Sequence, residues 1–499
     1  MFNDHETCYR AFEMGDARFD GHVYAGIMTT GIYCRPICAT RTPRRKNVEF
    51  FASAAAAQKA GYHPCLRCRP ELSPAPGAHA GLPGVVARAF ALIAEGALDS
   101  DGLSSLARRL AVSERWLRRL CIEHLGAPPH EIAQTRRVLF AKQLLHDTCL
   151  SMADVAMASG FGSIRRFNST FQSLFSKPPH MLRREWVNGV ERGEGNWIKI
   201  HLGFRPPLDW NYFLDFHRAR AISGVECVDG ACYRRVIRID DQIGVVAIEL
   251  GDGNHLRATI RFPLVTALPN IVQRLRNAFD LDADPMMIRE HLIADPTLQH
   301  HVRARPGLRV AGNWDSFELA VRAVLGQQIS VAAARKLAGR LVERWGDSSG
   351  IEDEPELRFA FPTPAQLADV DVTSLGMPGR RGAAISRLAQ AVLTNPDFLK
   401  RDSTLEEGLS RLKALPGFGD WTSHYVAMRA MREPDAFPAS DIGLLRSLED
   451  EDGHRPTPDE LTARSEPWRP WRAYAAQYLW AHSENLVGKS NSDFSVRGE

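Results

Sequence analysis

At 499 residues the chain exceeds what one hydrophobic core organises and predicts about three or four domains. Its composition, 44% hydrophobic and 24% charged, is that of ordinary globular domains, and no apolar run approaches the length needed to cross a bilayer. The net charge of +3 conceals an asymmetry, because residues 1–190 hold 24 Lys and Arg against 16 Asp and Glu while the remainder holds 38 against 43. A basic N-terminal part suits a polyanion, but a solvated surface shows the same imbalance, so charge alone does not select a partner.

Residues 1–10 are polar and acidic, without the basic start and apolar stretch of a secretory signal, which predicts a cytoplasmic protein. Of nine cysteines, four cluster as Cys34-x3-Cys38 and Cys65-x2-Cys68, about 26 residues apart, while Cys8, Cys121, Cys149, Cys227 and Cys232 are scattered. In a reducing compartment this clustering favours a metal over disulfides. Two short loops each supplying two thiolates at about 2.3 Å are what one tetrahedral Zn2+ needs, whether that zinc is structural or chemically active. A Pro- and Gly-rich stretch over residues 73–84 reads as a linker.

From 85 to 186 apolar residues recur at helical spacing, and Gly126-Ala-Pro-Pro-His130 is echoed by Ser176-Lys-Pro-Pro-His180. Upstream of each echo lie two helices across a tight turn, residues 103–110 and 113–124, then 152–158 and 163–175. Both pairs read as helix-turn-helix units with cations on the second helix, Arg115, Arg118 and Arg119 in one and Arg165 and Arg166 in the other. A plain helical bundle with solvated arginines is the competing reading. Alternating apolar residues at 197–202, 233–239, 245–250 and 256–260 predict a small antiparallel sheet, and residues 271–486 return to helices, with 317–325 and 331–345 the clearest.

Thr29-Thr-Gly-Ile-Tyr-Cys-Arg-Pro-Ile-Cys38 and Tyr62-His-Pro-Cys-Leu-Arg-Cys68 resemble the methylphosphotriester-acceptor domain of the Ada adaptive-response regulators. The resemblance implies that Cys34 is both zinc ligand and nucleophile, taking a methyl group once and irreversibly. Zinc keeps sulfur as thiolate, the species that attacks carbon. Arg35, Arg41, Arg44, Arg45 and Lys46 follow the ligands and could hold phosphates, Arg41 best matching a DNA-contacting position of the family. The tandem units resemble an AraC-type DNA-binding domain, carried by Phe167, Phe171, Phe175 and Pro178, and imply promoter binding and contact with RNA polymerase.

In the C-terminal half, Leu415-Pro-Gly-Phe-Gly419 reads as a hairpin in which Gly417 and Gly419 let a DNA phosphate approach the backbone. With Phe437-Pro-Ala-Ser-Asp441-Ile about 22 residues later, it resembles the helix-hairpin-helix glycosylases, above all the AlkA type. That resemblance implies a catalytic Asp441, although a helix N-cap is the other reading of this aspartate. It also implies an aromatic pocket of Trp421, Tyr425 and Trp480, and a monovalent cation at the hairpin when DNA is bound. The Schiff-base lysine of bifunctional members is Trp421 here, so a monofunctional glycosylase is expected. Gln328 stands where the AlkA type carries an apolar wedge into the base stack.

The fold class expected is multidomain and mainly α with small α+β parts. A zinc-bound methyl-acceptor domain would span residues 1–72, the tandem helix-turn-helix domain 85–186, the AlkA N-terminal sheet domain 196–270 and the helix-hairpin-helix glycosylase domain 271–488. The function expected is repair of alkylated double-stranded DNA joined to promoter regulation. The alternative is a regulator only, with structural zinc and an inactive glycosylase fold; a third reading is a repair enzyme merely anchored by its helix-turn-helix. No Pro-Cys-His-Arg motif is present, so no O6-methylguanine transfer to cysteine is expected.

Overall fold

The computed structural model describes residues 4–75, 84–99, 101–186, 197–401, 404–450 and 452–493. Most of the expected linker and the start of the expected sheet domain at 196 lie outside them. The chain divides into two compact units, one of residues 1–206, 237–276 and 281–283, the other of residues 207–236, 277–280 and 284–499.

The first unit begins with the helix His5–Met14, capped by Asp4, and a sheet of β1 (Tyr24–Ile27), β2 (Ile32–Cys34), β3 (Val48–Phe51) and β4 (His63–Pro64) in the order β3-β1-β2-β4. β2 and β4 run parallel, pairing Tyr33 with Pro64, so both cysteine pairs leave the same end of the sheet. Tyr33 is fully buried among Tyr24, Tyr62, Ala54 and Ala57.

The two helix-turn-helix pairs follow, Leu103–Arg109 with Glu114–Leu125 and Met152–Ala158 with Ile164–Phe175, each second helix N-capped by a serine, Ser113 or Ser163. The sequence echo marks identical junctions. Gly126 and Ser176 both end a helix in the left-handed region, at φ 72 and φ 54, and a proline then opens Pro129–Asp147 or Pro179–Trp186. Phe161, Phe167, Phe171 and Phe175 stack in series with centroids 4.9–5.3 Å apart, the i,i+4 spacing putting the last three on one face. The strands Ile198–Gly203, His255–Arg261 and Gln242–Leu250 lie antiparallel in that order; burial alternates over residues 198–202 and along His255–Arg261, whereas Gln242–Leu250 buries Gly244, Val245 and Val246 in succession.

In the second unit a helix Trp210–Arg220 is not among the expected elements, although its buried Trp210, Phe213 and Leu214 and its exposed Asn211, Asp215 and Arg218 carry a helical period, because this short segment lies between the alternating runs at 197–202 and 233–239. The strand Glu226–Asp229 pairs antiparallel with the start of Cys232–Ile239, the helices Ser316–Leu325 and Val331–Trp345 flank a tight turn, and Asp347–Ser348 with Phe359–Ala360 forms a second short ribbon. Leu405–Lys413 and Asp420–Arg429 enclose the predicted hairpin, Ile442–Ser447 starts just after Asp441, and Arg472–Asp493 carries Trp480.

Candidate functional site

The parallel β2–β4 pairing, extended by the Cys65 N–H donating to the Tyr33 carbonyl at 3.0 Å, gathers Cys34, Cys38, Cys65 and Cys68 so that their sulfurs lie within 4.8 Å of one another. A tetrahedron of Zn–S bonds separates sulfurs by about 3.8 Å, so the donor set fits zinc. Thiols this crowded cannot all ionise unaided. Hydrogen bonding with Cys38 pushes the Cys34 thiol up, whereas bonding with Cys34 pulls Cys38 well down and Cys65 down to about 6. A dication lets all four become thiolates together.

The sulfurs differ in what else reaches them. The Arg35 N–H points at Cys68 Sγ (3.3 Å), the Arg67 and Cys68 N–H groups point at Cys65 Sγ (3.4 and 3.5 Å), and the Thr40 hydroxyl lies 3.2 Å from Cys38 Sγ. Among the described residues no donor from outside the cysteine set reaches Cys34 Sγ. Hydrogen bonds stabilise a thiolate and blunt its attack, which leaves Cys34 the least stabilised of the four anions.

Arg41, Arg44 and Lys46 are exposed beside this centre. The expectation that Arg35 holds phosphate is corrected: it is buried, its Nε donating to Asp20 at 2.9 Å and its Nη1 to the Cys68 carbonyl at 3.2 Å, and it braces the ligand loop. Arg45 is already paired with Glu6. Arg115, Arg118, Arg119, Arg165 and Arg166 are exposed on the second helices, as the helix-turn-helix reading requires.

At the hairpin Gly417 adopts φ +96, and a Cβ there would fall 2.6 Å from the Ala384 Cβ, so no other residue fits without strain. Gly419 caps Asp420–Arg429 and is exposed like Gly417. Gln328 is exposed at φ +57 on the turn after Ser316–Leu325.

Asp441 is the N-cap of Ile442–Ser447 and lies beside the aromatic residues. Its Oδ1 accepts from the Gly443 and Leu444 N–H groups (2.8 and 3.1 Å), as an N-cap does, and from Trp480 Nε1 (2.8 Å); its Oδ2 accepts from Trp421 Nε1 (2.6 Å). Trp421 and Tyr425 stack at 5.1 Å, one helical turn apart, and Tyr425 meets Trp480 edge-on at 6.3 Å. The carboxylate and the three rings are half-buried together, and the indole N–H groups fix the plane of the acid.

Two residues on the same helix escaped the sequence reading. Arg429, 2% exposed, donates to the Ala311 carbonyl (2.6 Å) and Gln477 Oε1 (3.0 Å), and its guanidinium carbon sits 5.1 and 5.4 Å from the Tyr425 and Trp480 ring centres. His424 Nδ1 accepts from the Phe437 N–H at 3.1 Å, anchoring the segment that leads to Asp441, and burial pushes its pKa down to about 4. Their i+3, i+4 and i+8 spacings from Trp421 and Tyr425 were the available signal.

Comparison with known proteins gives four family matches in chain order: the metal binding domain of Ada over residues 7–71, a helix-turn-helix domain over 106–185, the AlkA N-terminal domain over 199–315, and the HhH-GPD superfamily of base excision DNA repair proteins over 321–473. The chain is 39% identical over 495 residues, 98% of either protein, to the Mycobacterium tuberculosis "probable bifunctional transcriptional activator/DNA repair enzyme AlkA". The chain belongs to this family. Its second half is also 33% identical over 283 residues, 56% of this chain and 95% of the relative, to Escherichia coli DNA-3-methyladenine glycosylase 2. A 3-methyladenine DNA-glycosylase structure from Archaeoglobus fulgidus shares the fold, with a TM-score of 0.51 at 21% identity over 57% of this chain and 98% of that one. The family's two kinds of domain, Ada-type and AlkA-type, thus stand in one polypeptide. Among the described residues no helix is long and apolar enough to cross a membrane.

Proposed function

We propose that the chain repairs alkylated DNA by two separate chemistries and reports one of them to transcription. At the first site the Cys34 sulfur attacks the methyl carbon of a backbone methylphosphotriester. The S–C bond forms as the C–O bond breaks, and the electron pair leaves on the phosphate oxygen as an ordinary diester. Zinc, when bound to Cys34, Cys38, Cys65 and Cys68, keeps this sulfur a thiolate at neutral pH. The thioether product has no route back, so transfer is stoichiometric, and loss of one sulfur charge weakens repulsion between the centre and DNA phosphates. Arg41 holds the strand, the exposed helix-turn-helix arginines grip a promoter, and the methylated form recruits RNA polymerase in the cytoplasm.

At the second site a flipped, alkylated purine enters against Trp421, Tyr425 and Trp480, whose π faces attract its positive charge. The N-glycosidic bond breaks with its electrons going to the base. The ionised Asp441 stabilises the oxocarbenium character left at C1′, where water then adds. With Trp421 in place of a lysine no imine forms, so the reaction is hydrolysis. Gly417 and Gly419 bring hairpin N–H groups and a monovalent cation to a phosphate while Gln328 enters the base stack.

One observation carries this reading: among the described residues no donor from outside the cysteine set reaches Cys34 Sγ while each of the other three sulfurs has an N–H or hydroxyl beside it, and four N–H groups converge on Asp441. The test incubates DNA bearing radiolabelled methyl groups with the wild-type chain, Cys34→Ala and Asp441→Asn. Label should reach protein except in Cys34→Ala, and free methylated base should appear except with Asp441→Asn. Protein labelling by Cys34→Ala refutes the first assignment, and undiminished base release by Asp441→Asn refutes the second.

A further inference from the structure

The turn that presents Gln328 is tied to the hairpin by its neighbour. Gln327 Nε2 donates to the Gly417 carbonyl and to Thr422 Oγ1, both at 2.9 Å, using both amide protons. A carbonyl can only accept, so this contact also fixes which end of the amide faces the hairpin. From the other side Arg381 donates to the backbone carbonyl of Gln327. Arg381 belongs to the helix Gly379–Thr394, the same helix whose Ala384 packs where a Gly417 side chain would be. Turn, hairpin and this helix are therefore cross-braced at one residue.

We propose that Gln327 is a positioning residue for base extrusion: it makes the turn bearing Gln328 and the hairpin around Gly417 one rigid body. The inference rests on the base-excision reading above. Entering a base stack means pushing against stacking and pairing, which cost a few kcal/mol to undo. That push needs a counterforce, and the hairpin, holding the backbone of the same duplex, supplies it only if the two loops cannot move apart. The amide of Gln327 links them directly. The Gln327 amide is spent on Gly417 and Thr422 rather than on base or sugar, so its removal should hinder extrusion more than bond cleavage.

The experiment uses the full chain and the variants Gln327→Glu, which keeps the shape and can still accept from Thr422 but cannot donate to Gly417, and Gln327→Ala, which removes both bonds. Single-turnover release of 7-methylguanine is measured from two DNA substrates, one with the lesion paired in a duplex and one with it unpaired in a bulge. 2-Aminopurine beside the lesion reports unstacking. With paired substrate both variants should lose about tenfold in rate, the scale of one to two net hydrogen bonds, together with the fast fluorescence rise. Their loss on the bulged substrate should be at least fivefold smaller. Equal losses on both substrates would mean that Gln327 merely supports the fold and would overturn the proposal, as would no loss on either. A wild-type chain that releases no base even from the bulge would instead overturn the base-excision reading, and this proposal with it.

Discussion

Replacing Trp480 with phenylalanine keeps a ring against Tyr425 but removes the N–H that reaches Asp441 Oδ1 at 2.8 Å. Oδ1 then retains the Gly443 and Leu444 N–H groups, and Oδ2 retains Trp421. A hydrogen bond to a charged group is worth about 1.5–3 kcal/mol, so if its energy serves to hold the carboxylate toward the sugar, the rate should fall by about 10- to 150-fold. Trp421→Phe is the sharper case, because among the described residues Oδ2 has no other donor and the carboxylate becomes free to turn about its Cβ–Cγ bond. Single-turnover base release at saturating enzyme isolates the chemical step, while thermal unfolding shows whether loss of an indole has merely loosened the fold. Rates within threefold of wild type in both variants, with the fold intact, would refute the argument that the indoles orient the acid.

Gly443→Ala is expected to slow base release with little effect on DNA affinity, because its Cβ would fall 2.9 Å from Asp441 Oδ1 and 3.3 Å from Trp480 Cδ1; unchanged single-turnover kinetics would count against it. Removing zinc with a chelator should abolish methyl acceptance and unfold the β1–β4 sheet while base release persists, as followed by metal content, circular dichroism and the two activities; retention of methyl acceptance by metal-free protein would contradict it. His424, ordinarily near pKa 6.5, is held down to about 4, chiefly by burial, with Asp420, Lys413 and Arg472 nearby. The unfolded chain therefore takes up a proton below pH 6.5 that the folded chain resists until about pH 4, so stability present above pH 6.5 is lost as pH falls, by about 2 kcal/mol at pH 5. His424→Gln should lose about that much less between pH 7.5 and pH 5 in urea unfolding, and an unaltered pH dependence would reject the assignment. Arg165→Ala and Arg166→Ala should each lower the salt dependence of promoter binding by about one unit in slope for every phosphate the arginine neutralises, and an identical slope would exclude the second helix from the DNA.

Much of the fold was legible because burial writes a period into the sequence. The helix pairs at 103–125 and 152–175 appear within a residue or two of their expected bounds, and the duplicated Pro-Pro-His junctions reflect a shared need for a left-handed cap followed by proline. A period in a short segment set between strands is easily absorbed into them: Trp210–Arg220 carries one, with Asn211, Asp215 and Arg218 exposed, inside the stretch that reads as sheet. Motif spacing grouped the four cysteines and family resemblance pointed to Asp441, but neither carries side-chain direction. Arg35 looked like its basic neighbours and turns inward to Asp20, and nothing in the order of residues shows that Trp421 and Trp480 spend their N–H groups on Asp441. The distinction among the sulfurs likewise depends on the backbone N–H groups of Arg35, Arg67 and Cys68 and on the Thr40 hydroxyl, which only the folded chain aims.

The choice of nucleophile rests on that distinction. The decisive measurement is tandem mass spectrometry of the peptides that carry Cys34, Cys38, Cys65 and Cys68 after the zinc-loaded chain has reacted with DNA carrying methylphosphotriesters. A single added methyl group on Cys34, and none on Cys38, Cys65 or Cys68, is the result predicted. A methyl on Cys38, or its spread over several of the four sulfurs, would contradict the claim that hydrogen bonding selects the nucleophile.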